Sequence, residues 1–228
     1  MPTVKLLGVQ FDLPLKQYEV PAFRGGIIDL VGREHQVFHN HKGENKFHYR
    51  YPSIQYKVKN NNAYLLSLNE GVEELYSLFD QSDLKIMIGK EKKHINVQDI
   101  HLSKPFLQVW DQHFKYQIND WLPLNEKNFE RFASIDREVD RLLFLEKILV
   151  GNLLSMGKGL NWTIDKKIEV HINKIKSEKS LNYKKVKLKG FVVTFTSNVF
   201  LPPLIGLGKG ASTGVGVIHP LKSNNHHE

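Results

Sequence analysis

The chain has 228 residues, of which 41% are hydrophobic and 25% charged, and it contains no cysteine. This size allows one large hydrophobic core or two small ones, and the lack of cysteine excludes disulfides and cysteine-bound zinc or iron–sulfur sites. The formal net charge of +8 lies entirely in residues 156–228, where 12 lysines face 4 acidic residues. Such a basic block indicates a polyanionic partner, either nucleic acid or an anionic membrane surface; the alternative is a lysine-rich half that is simply soluble.

Hydrophobic patterns in the first half predict strands that alternate with helices. The predicted elements, in chain order, are a strand at residues 4–11, a helix at 21–31 with Pro21 at its first position, a hairpin of 51–58 and 63–68, a helix at 71–79 and a strand at 84–88. The order β-α-β-β-α-β is the ferredoxin-like pattern. We therefore predict a ferredoxin-like module over residues 1–103.

The second half begins with the clearest helical pattern of the chain, residues 126–155, whose apolar stripe we interpret as core. Alternating strands are predicted next, near residues 168–172 and 185–189. In the second of these strands Lys185, Lys187 and Lys189 would share one face. A glycine-rich segment and a last strand follow, so residues 104–228 fit a second, degraded ferredoxin-like unit, which is the basic one.

The glycine-rich segment, residues 206–216, is typical of a loop that grips phosphates. Glycine lets a ligand approach the backbone, consecutive N–H groups can form an anion-binding concavity, and Lys209 adds a positive charge. A nucleotide-binding P-loop is disfavoured because Gly210, not serine or threonine, follows Lys209. The alternative is a glycine-rich hairpin that only lets strands pack closely. The candidate RNA-binding residues are Gly206, Gly208, Lys209, Gly210, Ser212, Gly214, Lys185, Lys187 and Lys189.

A histidine pair, His39 and His41, is the second candidate feature. In an extended segment both side chains would point to the same side, and two adjacent imidazoles suit acid–base chemistry near neutral pH. RNA offers such a reaction, in which a base deprotonates a ribose 2′-hydroxyl and an acid protonates the departing 5′-oxygen. Two alternatives stay open: a metal site completed by Glu34, Glu44 and His35, or ordinary surface histidines.

Three blocks of sequence together resemble the CRISPR-associated endoribonucleases that process precursor CRISPR RNA. They are His-Asn-His-Lys-Gly-Glu at 39–44, Tyr-Arg-Tyr-Pro-Ser-Ile-Gln-Tyr-Lys at 49–57, and Ile-Gly-Leu-Gly-Lys at 205–209 with Gly-Val-Gly at 214–216. The resemblance implies an α+β fold of two tandem ferredoxin-like (RRM-like) modules with antiparallel sheets and a C-terminal glycine-rich loop. It also implies metal-independent cleavage within a repeat, without a cofactor, to leave a 2′,3′-cyclic phosphate and a 5′-hydroxyl.

Carried onto this sequence, the resemblance makes His41 the first candidate for general base or acid, His39 its partner, and Tyr49 a residue that orients the phosphate. Lys42 or Lys57 would stabilise the charge of the transition state. The expected partner is CRISPR repeat RNA, and effector-complex subunits or a second copy of the chain are further candidates. No signal peptide or membrane-spanning stretch is evident, so we expect a cytoplasmic protein.

Two other hypotheses compete with this prediction. The first is a non-catalytic RNA-binding subunit of a CRISPR effector complex, which would not need the histidine pair. The second is a metal-dependent hydrolase built on His35, His39 and His41. The prediction itself assigns no metal.

Overall fold

The computed structural model describes residues 3–39, 51–184 and 186–222. The chain falls into two compact units: an N-terminal unit of Thr3–Phe106 with Ser212–Gly214, and a C-terminal unit of Leu107–Ala211 with the residues from Val215 on. Each unit is built around an antiparallel sheet. Among the described residues, no helix combines the length and the apolar character that a membrane crossing needs.

The N-terminal unit contains six strands and four α-helices among its described residues. They are β1 (Leu6–Pro14), α1 (Val20–Val31), α2 (Gln36–His39), β2 (Ile54–Lys59), β3 (Asn62–Leu68), α3 (Glu70–Glu74), α4 (Tyr76–Phe79), β4 (Lys85–Ile88), β5 (Glu91–His94) and β6 (Val97–Ser103). The main sheet has the order β2-β3-β1-β6 and is antiparallel throughout. This is the ferredoxin-like order, so the predicted fold class is confirmed for this unit.

One predicted strand lies elsewhere than expected. Residues 84–88 do contain β4, but β4 pairs with β5 in a separate two-stranded hairpin and with no other strand of the described residues. The fourth strand of the main sheet is β6, an edge strand whose side chains are mostly exposed. Because an edge strand has only one neighbour, it needs fewer buried residues, and its hydrophobic signal is correspondingly weak.

The β2–β3 hairpin and helix α1 follow the sequence prediction closely. Asn60 and Asn61 connect the strands with φ of 51° and 61°, which is the conformation that asparagine tolerates best in a two-residue turn. Helix α1 has Pro21 in its first turn and buries Phe23 and Ile27. The Phe23 ring meets Tyr56 of β2 edge to face at 5.7 Å, so α1 is fixed against the sheet at this point.

The C-terminal unit is built from β7 (Val109–Trp121), α5 (Glu126–Ala133), α6 (Glu138–Gly159), β8 (Val170–Tyr183), β9 (Val186–Val199) and β10 (Val217–Pro220). Its antiparallel sheet has the order β10-β7-β9-β8. This is again the ferredoxin-like order, with the glycine-rich loop in the position of the second helix. The predicted second, degraded module is therefore confirmed as a fold.

The long helix predicted over residues 126–155 is two helices. The chain breaks at residues 134–137, where the Ser134 hydroxyl donates to Arg131 O at 2.8 Å and Arg141 Nε donates to Ile135 O at 2.7 Å. The interpretation of its apolar stripe as core holds for Phe132, Leu149 and Leu153, which are buried, but it is wrong for Phe129 and Val139, which are 49% and 57% exposed.

Strands β8 and β9 each have 14 residues, far more than the five predicted for either. The outer part of this hairpin carries mostly exposed side chains. The extra length was hidden in the sequence because lysine, serine and asparagine interrupt the alternation that marks a strand.

Candidate functional site

The glycine-rich loop, residues 206–216, joins β9 to β10 and is closed by its own backbone. Leu207 N–H donates to Gly216 O at 2.8 Å, and Val215 N–H donates to Gly210 O at 3.3 Å. A bridge between Gly206 and Val217 continues the closure towards β10. The loop is therefore a folded element that backbone hydrogen bonds close.

Four glycines have backbone angles that other residues rarely adopt. Gly208, Gly210, Gly214 and Gly216 have φ between +67° and +79°. At Gly216 a Cβ atom would also lie 2.1 Å from Leu207 O. Part of the glycine pattern is thus required by the loop's own folding, as the structural alternative in the sequence analysis proposed.

Only some of the predicted RNA-binding residues of the loop reach solvent. Gly208, Lys209 and Ser212 are partly exposed, whereas Gly206, Gly210 and Gly214 are buried. Gly214 O accepts a hydrogen bond at 2.6 Å from Gln17 Nε2, and both residues belong to the N-terminal unit. In the C-terminal unit, a ligand that approaches the loop would meet Gly208 and Lys209.

The tip of the β8–β9 hairpin lies against this loop within the C-terminal unit. A Cβ on Gly210 would be 3.0 Å from Cε2 of Tyr183, the last residue of β8. Lys209 Nζ and Lys184 Nζ each lie 5.8 Å from the centroid of the Tyr183 ring. Two ammonium groups thus lie near one aromatic ring, and cation–π attraction helps to hold them there. A phosphate could bind both ammonium groups at once. Sequence reasoning missed Tyr183 and Lys184, because neither belongs to a recognisable motif.

The predicted lysine face of β9 is present in part. Lys187 and Lys189 both line one cleft, while Lys185 lies outside the described residues. Lys189 pairs with Glu178 at 2.5 Å and covers the Phe132 ring. Lys187 is exposed. Lys187 is therefore the more accessible charge of the two.

His39 is the last residue of the short helix α2. The extended conformation that would place His39 and His41 on one side concerns residues 40 and 41, which lie outside the described residues. His39 Nε2 lies 2.7 Å from Arg33 O. Since a carbonyl oxygen only accepts, Nε2 must carry the proton, and a neutral His39 can take up a further proton only at Nδ1.

Two further hydrogen bonds hold the backbone of α2 at Phe38 and His39. Arg24 of α1 donates from its guanidinium to His39 O at 2.7 Å. The Tyr56 hydroxyl of β2 donates to Phe38 O at 3.2 Å. Sequence reasoning missed Arg24, because nothing in α1 marks an arginine that acts on a residue 15 positions later.

Lys57 is almost completely buried on β2, at 1% exposure. Burial penalises the charged ammonium and lowers the pKa of Lys57 from 10.5 to about 7. Lys57 would thus be a cation for only part of its time at neutral pH. The other candidate, Lys42, lies outside the described residues, as do His41 and Tyr49.

The residues named for a metal site do not form one in the described part of the chain. His35 Nδ1 lies 3.3 Å from Glu74 Oε2, which makes an ordinary hydrogen-bonded pair. Within residues 3–39, 51–184 and 186–222, no group of three His, Asp or Glu side chains could hold a metal ion. His41 and Glu44, the other ligands considered, lie outside those ranges.

Comparison with known proteins gives matches along nearly the whole chain. Residues 2–105 match the family model of the Cas6b N-terminal domain, and residues 108–221 match that of the Cas6b C-terminal domain. An uncharacterised protein of Methanocaldococcus jannaschii is 36% identical over 111 residues, which are 48% of this chain and 74% of that protein.

Solved structures give the same result. A crystal structure of Cas6b superposes with a TM-score of 0.86 at 28% identity, covering 96% of this chain and 100% of the other. A second, described as the CRISPR RNA processing endoribonuclease Cas6b, superposes with a TM-score of 0.73 at 25% identity, with the same coverage.

Proposed function

This chain belongs to the Cas6b family, and we propose that it is an endoribonuclease that cuts the repeats of precursor CRISPR RNA. The observation that carries the proposal is the joint match of the Cas6b N- and C-terminal domain models to residues 2–105 and 108–221. A solved structure that matches 96% of the chain is described as a CRISPR RNA processing endoribonuclease. We further propose that the boundary between the two modules lies near residue 104. In this proposal the N-terminal module cuts the RNA and the C-terminal module holds it.

The reaction that we propose needs only acid–base groups. A base removes the proton of a ribose 2′-hydroxyl, and the oxygen attacks the adjacent phosphorus. The bond from phosphorus to the 5′-oxygen breaks, and an acid protonates that oxygen. The products are a 2′,3′-cyclic phosphate and a 5′-hydroxyl, and no metal takes part. We assign His41 as the first candidate for base or acid, His39 as its partner, and Tyr49 as a group that orients the phosphate.

We infer the route of proton exchange at His39 from its hydrogen bonds. Because Nε2 donates to Arg33 O, the proton that His39 exchanges with RNA or with its partner histidine would pass through Nδ1. Arg24 holds the backbone of His39 in place. Together these bonds preorganise the imidazole, which spares the reaction the cost of orienting it.

We propose that the C-terminal unit holds the RNA. Lys209 and Lys184 at the Tyr183 ring, and Lys187 on β9, offer positive charge for phosphates. None of the lysines can read bases as an arginine fork does, so this contact supplies affinity and register, and not sequence recognition.

Cleavage of the cognate repeat RNA in the presence of a chelator tests the proposal. We expect the wild type to cut at one position, and the double variant His39→Ala/His41→Ala to bind but not cut. The matched control is His94→Ala/His101→Ala, which removes two exposed histidines of the same unit and should cut normally.

Two results would count against the proposal. A requirement for divalent metal, or full activity of the His39→Ala/His41→Ala variant, would refute the mechanism. If the wild type bound repeat RNA tightly yet never cut it, the chain would instead be a non-catalytic RNA-binding subunit.

A further inference from the structure

A cleft of about 440 Å³ opens between α5 and the outer part of the β8–β9 hairpin, within the C-terminal unit. Phe129 of α5 and Leu188 of β9 give it apolar walls, and Ser180 of β8 contributes a hydroxyl. Its volume lies within the range of pockets that hold small organic groups. The cleft therefore has room for one planar group with polar substituents.

The side chain of Phe129 is unusually exposed for a phenylalanine on a helix that packs on a core. The ring is 49% exposed, whereas Phe132, one turn later on α5, is 4% exposed and packs on Phe191. A single exposed phenylalanine is common on protein surfaces. Phe129 differs because its exposed ring is a wall of a cleft whose other lining residues, apart from Leu188, are charged or polar.

Three lysines line the same cleft, and their pairing differs. Lys189 pairs with Glu178 and Lys179 pairs with Asp120, each at 2.5 Å. Lys187 has no acidic partner among the described residues. The charge of Lys187 is therefore available to an anion. The charges of Lys179 and Lys189 are each balanced by an acidic partner.

We infer that this cleft is a subsite for one unpaired nucleotide of RNA, with its base stacked on Phe129 and its phosphate at Lys187. An aromatic face beside lysines is how proteins bind single-stranded RNA without reading its sequence. The inference rests on the proposed function, because that function supplies the RNA.

The position of the cleft along the hairpin supports this assignment. Ser180 and Tyr183 are three residues apart on β8, a distance of about 10 Å at the rise of a strand. Tyr183 is the ring at which Lys184 and Lys209 gather beside the glycine-rich loop. An RNA strand held at that loop would thus reach the Phe129 cleft by following the hairpin.

Fluorescence anisotropy with an unstructured oligouridylate and with the repeat RNA tests the inference. Phe129→Ala should weaken binding of either RNA by about 5- to 150-fold, the range for loss of one stacked base, and Phe129→Tyr should restore it. Lys187→Ala should make the negative slope of log affinity against log salt less steep by about 0.7. The control is Leu154→Ala on α6, which removes an apolar side chain that is also 49% exposed; its affinity should equal that of the wild type.

A 2-aminopurine base placed at successive positions of the repeat RNA reports stacking directly. One position should be quenched on binding to the wild type and to Phe129→Tyr, and not on binding to Phe129→Ala. If Phe129→Ala and Leu154→Ala bind as tightly as the wild type and every quenching pattern is unchanged, the cleft is not an RNA subsite. That result leaves the proposed function intact, whereas a wild type that neither binds nor cuts repeat RNA overturns the proposed function itself.

Discussion

The buried Lys57 makes a prediction that ties stability to pH. Its pKa is lowered from 10.5 to about 7 by burial, and the difference corresponds to about 5 kcal/mol at 1.36 kcal/mol per pH unit. Below pH 7 the lysine is charged in both states, and the folded protein bears the net cost that the lowered pKa expresses. Between pH 7 and about 10.5 the unfolded state binds more protons than the folded state, so the free energy of unfolding rises with pH.

The substitution Lys57→Met removes the buried charge and keeps most of the volume. The stability of Lys57→Met relative to the wild type should therefore be greatest below pH 7. This relative stability should fall by about 3 kcal/mol between pH 6.5 and 9.5, because the wild type becomes more stable over that range. Urea denaturation of both proteins at several pH values measures this difference. A change in packing shifts the curve of the variant by the same amount at every pH, and therefore does not affect how the difference between the two proteins varies with pH.

A matched control is Lys59→Met, the same substitution on the same strand at a partly exposed residue. A stability difference between Lys57→Met and the wild type that stayed constant from pH 6.5 to 9.5 would refute the argument. The same variant separates the two lysines proposed for the transition state. If Lys57 supplies that charge, Lys57→Met loses cleavage while it stays folded; if Lys42 does, cleavage survives.

Three further predictions concern the glycine-rich loop and the position of His39 at the end of α2. Gly216→Ala should lower the free energy of unfolding in urea by about 2 kcal/mol or more, because φ is positive there and a Cβ would meet Leu207 O, whereas Gly151→Ala, in an open position of α6, should raise it by about 0.5–1 kcal/mol. Lys209→Ala should bind repeat RNA more weakly and with a salt slope smaller by about 0.7, as measured by anisotropy; an unchanged slope would mean that Lys209 touches no phosphate. Arg24→Ala should lower kcat for cleavage by about 10-fold or more with little change in KM, because a charged hydrogen bond to the His39 carbonyl is lost. Arg24→Lys should recover part of the activity. Activity equal to that of the wild type in Arg24→Ala would show that Arg24 does not position His39.

Local signals predicted much of the fold. Asparagines at positions 60 and 61 marked the hairpin because few residues accept positive φ, and Pro21 marked the start of α1. The same local reasoning failed at residues 134–137, where the apolar spacing continues from α5 into α6 although the helix stops. It also placed Phe129 in the core, since helical spacing does not reveal which residues of a stripe the neighbouring sheet covers completely and which it leaves half-exposed.

The site was less predictable, because it depends on contacts between residues far apart in sequence. The glycine pattern predicted the loop, but it did not indicate that Gly206, Gly210 and Gly214 are buried and that Lys209 is not. No motif links Lys209 to Tyr183, which the loop reaches only after the sheet has formed. The roles of His39, His41 and Tyr49 stay predictions.

Replacement of the 2′-hydroxyl at the cleavage position tests the central claim most directly. The wild-type protein is incubated, in chelator, with repeat RNA and with the same RNA that carries one 2′-deoxy nucleotide at that position. We predict that the first RNA is cut to a fragment ending in a 2′,3′-cyclic phosphate and that the second is bound with similar affinity and not cut. Cleavage of the 2′-deoxy RNA at the same position would contradict the mechanism.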